Sequence, residues 1–223
     1  MHIPDGFLSA PVWVAGGAVS AGVAALAARR VGRSLGEKQV PLMGVTAAFI
    51  FAAQMVNFPI ASGTSGHLAG GVLAALLLGP WASVLVMTAI LVVQALLFQD
   101  GGITALGANV LNMGVLGCLA GYLAYRLLRR LLAGTRGALA SAFVAAWLAV
   151  VLSAALAAVE IALSGTAPLR VVLPALAGVH ALIGVGEGLI TAAALAFLLR
   201  VRRDLIHPSC RPYLREAPAG GNA

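Results

Sequence analysis

The sequence predicts an all-α membrane protein with seven transmembrane helices, its amino terminus outside the cell and its carboxyl terminus in the cytoplasm. Composition indicates the membrane, because 61% of the 223 residues are hydrophobic and 9% are charged, whereas a soluble domain carries about 25% charged residues. The number of long apolar stretches predicts the helices. The positions of the arginines between those stretches predict the orientation.

The apolar stretches follow a short polar opening. A span needs about 20 apolar residues, so the third stretch is too short for a full span. It forms either a half-buried helix or a crossing at a thin place in the membrane. Gly79 followed by Pro80 indicates that one helix ends and the next begins there, which predicts a tight helical hairpin. The seven stretches are 11–28, 41–56, 67–79, 80–98, 105–132, 139–163 and 169–199.

Basic residues lie in three clusters, after the first, fifth and seventh stretches. Seven crossings put all three clusters on one side of the membrane, which the positive-inside rule identifies as the cytoplasm. Without a crossing by the third stretch, the clusters would lie on both sides. We therefore expect a multi-pass protein of the bacterial plasma (inner) membrane. The clusters are Arg29, Arg30, Arg33 and Lys38; Arg126, Arg129, Arg130 and Arg136; and Arg200, Arg202 and Arg203.

The opening Met1-His2-Ile3-Pro4 has the donor atoms of a metal chelate. The Met1 amine, with a pKa of about 7.7–8.0, loses its proton readily near neutral pH. With the backbone nitrogen of His2 it closes a five-membered ring on a metal, and that nitrogen closes a six-membered ring with Nδ1 of His2. Three nitrogens in one plane suit Ni(II) or Cu(II), and one more imidazole would complete the square. Because a motif this short has a high false-positive rate, an ordinary chain start is the alternative.

Polar residues near the predicted outer mouth provide further candidates. His67 follows a glycine-rich turn at the start of the third helix, where the positive helix end disfavours imidazolium and leaves the ligand form. A histidine bonded to a carbonyl is its alternative. Asn109 and Asn112, three residues apart at the start of the fifth helix, could orient an imidazole or the amino-terminal loop. An interhelical hydrogen bond is the alternative for this pair.

Several motifs together resemble the CbiM/NikM family, the substrate-capture (S) components of energy-coupling-factor cobalt and nickel transporters. The resemblance covers the membrane region. The motifs are MHIPDG at 1–6, NFP at 57–59, GTSGH at 63–67, DGG at 100–102, GANVLNMG at 107–114, and GVGEG at 184–188 after His180.

The resemblance implies a metal site made of the Met1 amine, the amide and imidazole nitrogens of His2, and the imidazole of His67. It implies Ni(II) or Co(II) as the transported substrate. It also implies three partners: a transmembrane coupling (T) subunit, an ATPase (A) subunit and a small accessory membrane subunit. We expect the residues around the ligands to orient them, namely Thr64, Ser65, Asn109 and Asn112. Residues 1–206 would form one polytopic membrane domain with this chelating segment, and 207–223 a disordered cytoplasmic tail rich in Pro, Gly and Ala.

The remaining polar residues are expected to have mainly structural roles. His180, Glu160 and Glu187 lie in the sixth and seventh stretches, where hydrogen bonds to each other or to backbone are expected rather than a second metal site. Asp5 follows a proline and precedes a glycine, so a turn is its expected role. Asp5 and Asp100 could also attract cations.

Other function classes fit the sequence less well. The net charge of +7 indicates no nucleic-acid partner, because the arginines lie between apolar stretches and form no soluble patch. Cys118 and Cys210 make no disulfide framework. Glu37 stands before Lys38, the sole lysine, where the Walker pattern has a glycine. The chain is therefore expected not to be an enzyme, and uptake must be driven by partners.

Two alternatives stay open beside the capture subunit. One is a stand-alone metal permease. The other is an intramembrane serine protease, because residues 63–66 match the Gly-x-Ser-Gly of rhomboid proteases, with Ser65 as nucleophile and His180 as base. That motif places Ser65 before the helix and leaves the histidines at positions 2 and 67 unexplained.

Overall fold

The structure, a computed structural model, describes residues 2–33, 36, 39–56, 58–60 and 64–213. Within these residues the chain forms seven α-helices, as predicted. Two short antiparallel strands, β1 (Phe58–Ile60) and β2 (Thr64–Gly66), pair between the second and third helices. The helices are α1 Ala10–Gly32, α2 Gln39–Met55, α3 Gly71–Leu78, α4 Pro80–Leu97, α5 Leu106–Leu131, α6 Gly134–Leu163 and α7 Leu169–Val201.

Five of these helices, α1, α4, α5, α6 and α7, are long and apolar enough to cross a membrane. Helix α2 has 17 residues and α3 has eight, and eight residues of helix are about 12 Å long. The predicted third stretch is thus helical only from Gly71. Its first four residues, His67–Gly70, are irregular and end at Gly70 with a φ of +75°, a conformation that glycine adopts readily. The predicted hairpin is confirmed, because Gly79 ends α3 and Pro80 begins α4.

The bundle has two distinct ends. At the first, the Arg30 guanidinium lies 4.5 Å from the centre of the Trp81 ring, and the His207 amide donates to Leu76 O at 2.9 Å. We call this the basic end, because α1, α5 and α7 each have basic residues in their last turn. At the second, the histidine end, the His2 ring stacks on the His67 ring. The segment from His67 to Leu76 therefore runs from one end to the other.

Small residues let the helices approach closely. Helices α6 and α7 pack where Gly184 and Gly188 face Trp147 and Phe143. Where α1 meets α5, a Cβ on Gly107 would lie 2.3 Å from the Cα of Gly17. Within α5, a π-helical segment at Val110–Leu116 interrupts the regular hydrogen-bond pattern, and the carbonyl of Asn112 accepts a hydrogen bond from Ser153 Oγ at 2.7 Å.

The carboxyl-terminal segment differs from the tail predicted from residue 207. A 3-10 helix covers Pro208–Tyr213, and Ile206 and Cys210 are buried in a cluster with Tyr125. In the structure, residues 207–210 therefore pack against the bundle. This segment is rich in polar and small residues. Its composition therefore does not reveal that Ile206 and Cys210, four positions apart, pack in the same apolar cluster. Residues 214–223 lie outside the described part of the chain.

Candidate metal centre

Asn109 holds the amino-terminal segment by its backbone. The Ile3 amide donates to Asn109 Oδ1 at 2.8 Å, and Asn109 Nδ2 donates back to Ile3 O at 3.1 Å. The same carbonyl accepts from the Gly102 amide at 2.9 Å. The Ile3 side chain is buried against Ala105 and Ala157. Both the backbone and the side chain of Ile3, the residue after His2, are therefore held in place. Of the two alternatives given above for Asn109, the structure has the contact with the amino-terminal loop.

Asp5 fixes the segment at a second point. Its carboxylate accepts from Thr104 Oγ1 at 2.5 Å, from the Thr104 amide at 2.8 Å and from the Ile103 amide at 3.1 Å. These hydrogen bonds, with the Thr104 hydroxyl first, hold the pKa of Asp5 below its usual value. The expected turn is present, with Gly6 at a φ of +84°. Asp5 also anchors that turn to the chain just before α5.

The structure brings His2 and His67 together. Their ring centroids lie 4.9 Å apart and the ring planes differ by 20°. Nδ1 of His67 bonds to Leu68 O at 2.8 Å, and Nδ1 of His2 lies 3.0 Å from Asp100 Oδ1. A carbonyl and an ionised carboxylate can only accept, so Nδ1 carries the proton in each neutral ring. Both Nε2 atoms are buried and have no hydrogen-bond partner among the described residues, which is the arrangement of imidazoles that bind metals.

Burial sets the charge of the His67 ring. It is the largest cause that lowers the pKa of His67 from 6.5 to about 3, so His67 is neutral at neutral pH. The positive end of the helix is therefore not the main cause of the neutral imidazole; desolvation is. The hydrogen bond from His2 holds the pKa of Asp100 below its usual value, and Asp100 Oδ2 is buried without a hydrogen-bond partner among the described residues. Asp100 thus lies beside the site and contacts it through the ring of His2.

Two buried side chains from other helices hydrogen-bond to the segment that carries His67, and a third supports one of them. The Glu187 carboxylate in α7 accepts from the Ala69 and Gly70 amides, each at 2.7 Å. From α2, Gln54 Nε2 donates to Ala69 O at 2.7 Å, and Gln94 Nε2 in α4 donates to Gln54 Oε1 at 2.8 Å. Gln54 and Gln94 are not among the residues predicted from the sequence. Buried amides inside apolar stretches were the available signal, because polar groups inside a membrane are costly unless paired.

The other predicted residues lie elsewhere or outside the described part of the chain. Asn112 Nδ2 donates to Glu160 Oε2 at 2.7 Å, the interhelical hydrogen bond given above as its alternative. His180 Nδ1 bonds to Leu176 O at 2.8 Å, one turn earlier in α7. The three buried groups His180, Glu160 and Glu187 thus bond to separate partners. Met1 lies outside the described residues, as do the side chains of Thr64 and Ser65.

Comparison with known proteins gives one family and several relatives. The family described as the cobalt uptake substrate-specific transmembrane region, CbiM, matches residues 2–205. The chain is 38% identical over 234 residues to the fused nickel transport protein NikMN of Rhodobacter capsulatus, covering 98% of this chain and 66% of that protein. It is 38% identical over 220 residues to the cobalt transport protein CbiM of Geobacter sulfurreducens, covering 92% of this chain and 61% of that protein.

A solved structure has the same fold. The crystal structure of a transition metal transporter superposes with a TM-score of 0.83 at 36% sequence identity, covering 90% of this chain and 93% of that chain. The curated relatives named above are longer, and this chain spans about two thirds of their length.

Gly102→Ala is expected to release the amino-terminal segment. A Cβ on Gly102 would lie 2.4 Å from Asp5 N and 2.7 Å from Pro4 C, so the segment must move and its hydrogen bonds to Asn109 must lengthen. Hydrogen–deuterium exchange of the Ile3 amide should become at least about tenfold faster, since each lost hydrogen bond costs about 1 kcal/mol. Gly178→Ala, where nothing lies within 4 Å, is the control. Unchanged Ile3 exchange in Gly102→Ala would contradict this account of the anchor.

Proposed function

This chain belongs to the CbiM family of cobalt and nickel transport proteins, and on that premise we propose that it is the substrate-capture subunit of an energy-coupling-factor transporter that imports Ni(II) or Co(II). It is a multi-pass membrane protein. The observation that carries the proposal is the buried Nε2 of His67, which has no hydrogen-bond partner among the described residues, on a ring that lies 4.9 Å from the ring of His2.

The proposed ligands are the Met1 amine, the backbone nitrogen and Nδ1 of His2, and Nε2 of His67. The anchoring of Ile3 by Asn109 supports this set, because it holds the preceding residues beside His67. In the structure Nδ1 of His2 contacts Asp100. Binding in the proposed mode exchanges this contact for the metal, and the ring proton moves to Nε2 or leaves. A site built from four nitrogens suits Ni(II) by geometry and also binds Co(II).

We propose that the histidine end faces outward and the basic end faces the cytoplasm. The positive-inside rule supports this orientation, since the contacts of Arg30 and His207 place the ends of α1 and α7 at the same end of the bundle. The metal is then captured from the outer side.

The proposed partners are a coupling subunit, an ATPase and a small accessory membrane subunit. One relative is named a fused nickel transport protein and is longer than this chain, which supports a further component acting with it. A stand-alone permease is the alternative within transport, and co-purification of an ATPase from detergent-solubilised membranes separates the two. The serine-protease alternative is disfavoured, because the relatives are named as metal transport proteins.

His2→Ala and His67→Ala are each expected to weaken Ni(II) binding by more than about 100-fold. Each removes a proposed ligand, and even residues that only support a ligand typically contribute about 10–100-fold. Isothermal titration of the purified protein measures the affinity. His207→Ala should bind like the native protein, since His207 lies at the basic end. Ser65→Ala should keep most of the affinity, since Ser65 is not a proposed ligand. Native affinity in His67→Ala would remove that residue from the site.

Metal affinity is expected to fall as the pH drops below neutral. Binding displaces the amine proton, whose pKa is about 7.7–8.0, and the amide proton of His2. The pKa of His67 is about 3, so that ring stays neutral from pH 8 to pH 5 and contributes no proton. Calorimetry in buffers of different ionisation enthalpy should show at least about two protons released per metal at pH 6, from the amine and the amide, and at least about one at pH 8. A constant affinity from pH 7 to pH 5.5 would point to carboxylate ligands such as Asp5 and Asp100.

A further inference from the structure

One peptide group connects the buried carboxylate of Glu187 to the ring of His67. This group consists of the carbonyl of Leu68 and the amide of Ala69. Its N–H donates to Glu187 Oε2 at 2.7 Å, and its carbonyl oxygen accepts from His67 Nδ1 at 2.8 Å. The next amide, of Gly70, donates to the other carboxylate oxygen at 2.7 Å. Carboxylate, peptide and imidazole are therefore joined in series.

This series of hydrogen bonds favours one tautomer of the His67 ring. A carboxylate that accepts from an N–H makes a strong, charge-assisted hydrogen bond. Because the N–H and C=O of a peptide share delocalised electrons, a negative charge at the N–H increases the charge on the carbonyl oxygen. Hydrogen bonds in such chains strengthen one another. The Leu68 carbonyl is thereby a better acceptor for Nδ1–H of His67, and the lone pair remains on Nε2.

We propose that Glu187 is a positioning residue for the metal site: through the Leu68–Ala69 peptide it holds His67 as the Nδ1–H tautomer and keeps Nε2 ready to bind the metal. This inference rests on the proposed function for the role of the metal. Histidine ligands commonly donate their other ring N–H to a carboxylate or a backbone carbonyl, which fixes the tautomer and raises the basicity of the ligating nitrogen. Here the Leu68 carbonyl accepts from His67, and the Glu187 carboxylate acts on that carbonyl through the peptide group.

The two-oxygen geometry explains why a carboxylate occupies this position. Glu187 is 3% exposed, and no basic side chain forms an ion pair with it in the part of the chain that the structure describes. Burial of a carboxylate is costly, yet two consecutive N–H donors need two acceptor oxygens. A glutamine would offer one oxygen and set its NH₂ against the second N–H. Glu160, also buried, accepts from the Asn112 side chain instead, so it has no link to His67.

The decisive experiment compares Glu187→Gln with the native protein by ¹⁵N NMR of the histidine rings in metal-free protein in detergent. The His67 signals are assigned by their loss in His67→Gln. Glu160→Gln is the matched control, because it makes the same change at a buried carboxylate that does not touch the loop. Gln54→Leu is a second control, since Gln54 holds the loop at Ala69 O and not at the bridging peptide. Ni(II) titration of all four proteins follows.

The native protein should show His67 as the Nδ1–H tautomer alone. Glu187→Gln should show a mixture with the Nε2–H tautomer and about 10–100-fold weaker Ni(II) binding, whereas Glu160→Gln should match the native protein and Gln54→Leu should keep the native tautomer. A native tautomer in Glu187→Gln would overturn the inference. So would the Nε2–H tautomer in the native protein, a result that needs no variant to fold. If the tautomer of His67 changes in Glu187→Gln as expected but the native protein binds no Ni(II), the proposed function is refuted. The coupling of Glu187 to His67 would then still stand.

Discussion

Asn109 fixes the backbone of Ile3 with both ends of its side-chain amide, and the geometry of the whole metal centre depends on that pair of hydrogen bonds. The first residues of a chain are usually poorly ordered unless something holds them, and ordering each backbone unit costs about 1–2 kcal/mol. Here the anchored amide and carbonyl, the buried Ile3 side chain and the Asp5 carboxylate on Thr104 hold the segment in advance. A metal that binds beside it then has little ordering left to impose.

The segment that carries His67, the second half of the metal centre, is also held in place by hydrogen bonds. His67 lies on four irregular residues between β2 and α3, and irregular backbone inside a membrane bundle must have its polar groups paired. Glu187 and Gln54 pair the backbone of Ala69 from two helices, and Gly70 lets the chain turn against Ile50. With the backbone groups paired in this way, Nε2 of His67 stands out as a buried polar atom without a hydrogen-bond partner among the described residues. Unpaired nitrogen at the junction of two anchored segments is what the chemistry of capture requires.

The helices could be predicted because apolar stretches and Gly-Pro punctuation act locally. The candidate residues His2, His67 and Asn109 could be singled out because short motifs and helix starts show in the chain. The roles of Glu187, Gln54 and Gln94 could not be predicted, because their hydrogen-bond partners lie 15 to 118 residues away in the chain. Local pattern also concealed the irregular start of the third stretch and the docking of Ile206 and Cys210. In each case the deciding contact joins distant parts of the chain.

The central claim is that the metal is held at the very start of the chain. It is tested most directly by uptake of radiolabelled Ni(II) in cells that carry the partner subunits, comparing the native protein with one that has a single residue added before Met1, at matched expression. The extension moves the free amine one peptide away from His2 and leaves a poorly donating amide in its place. The same residue added after Ala223 is the control. The account predicts background uptake with the amino-terminal extension and native uptake with the control. Equal uptake by the native and amino-terminally extended proteins would contradict it.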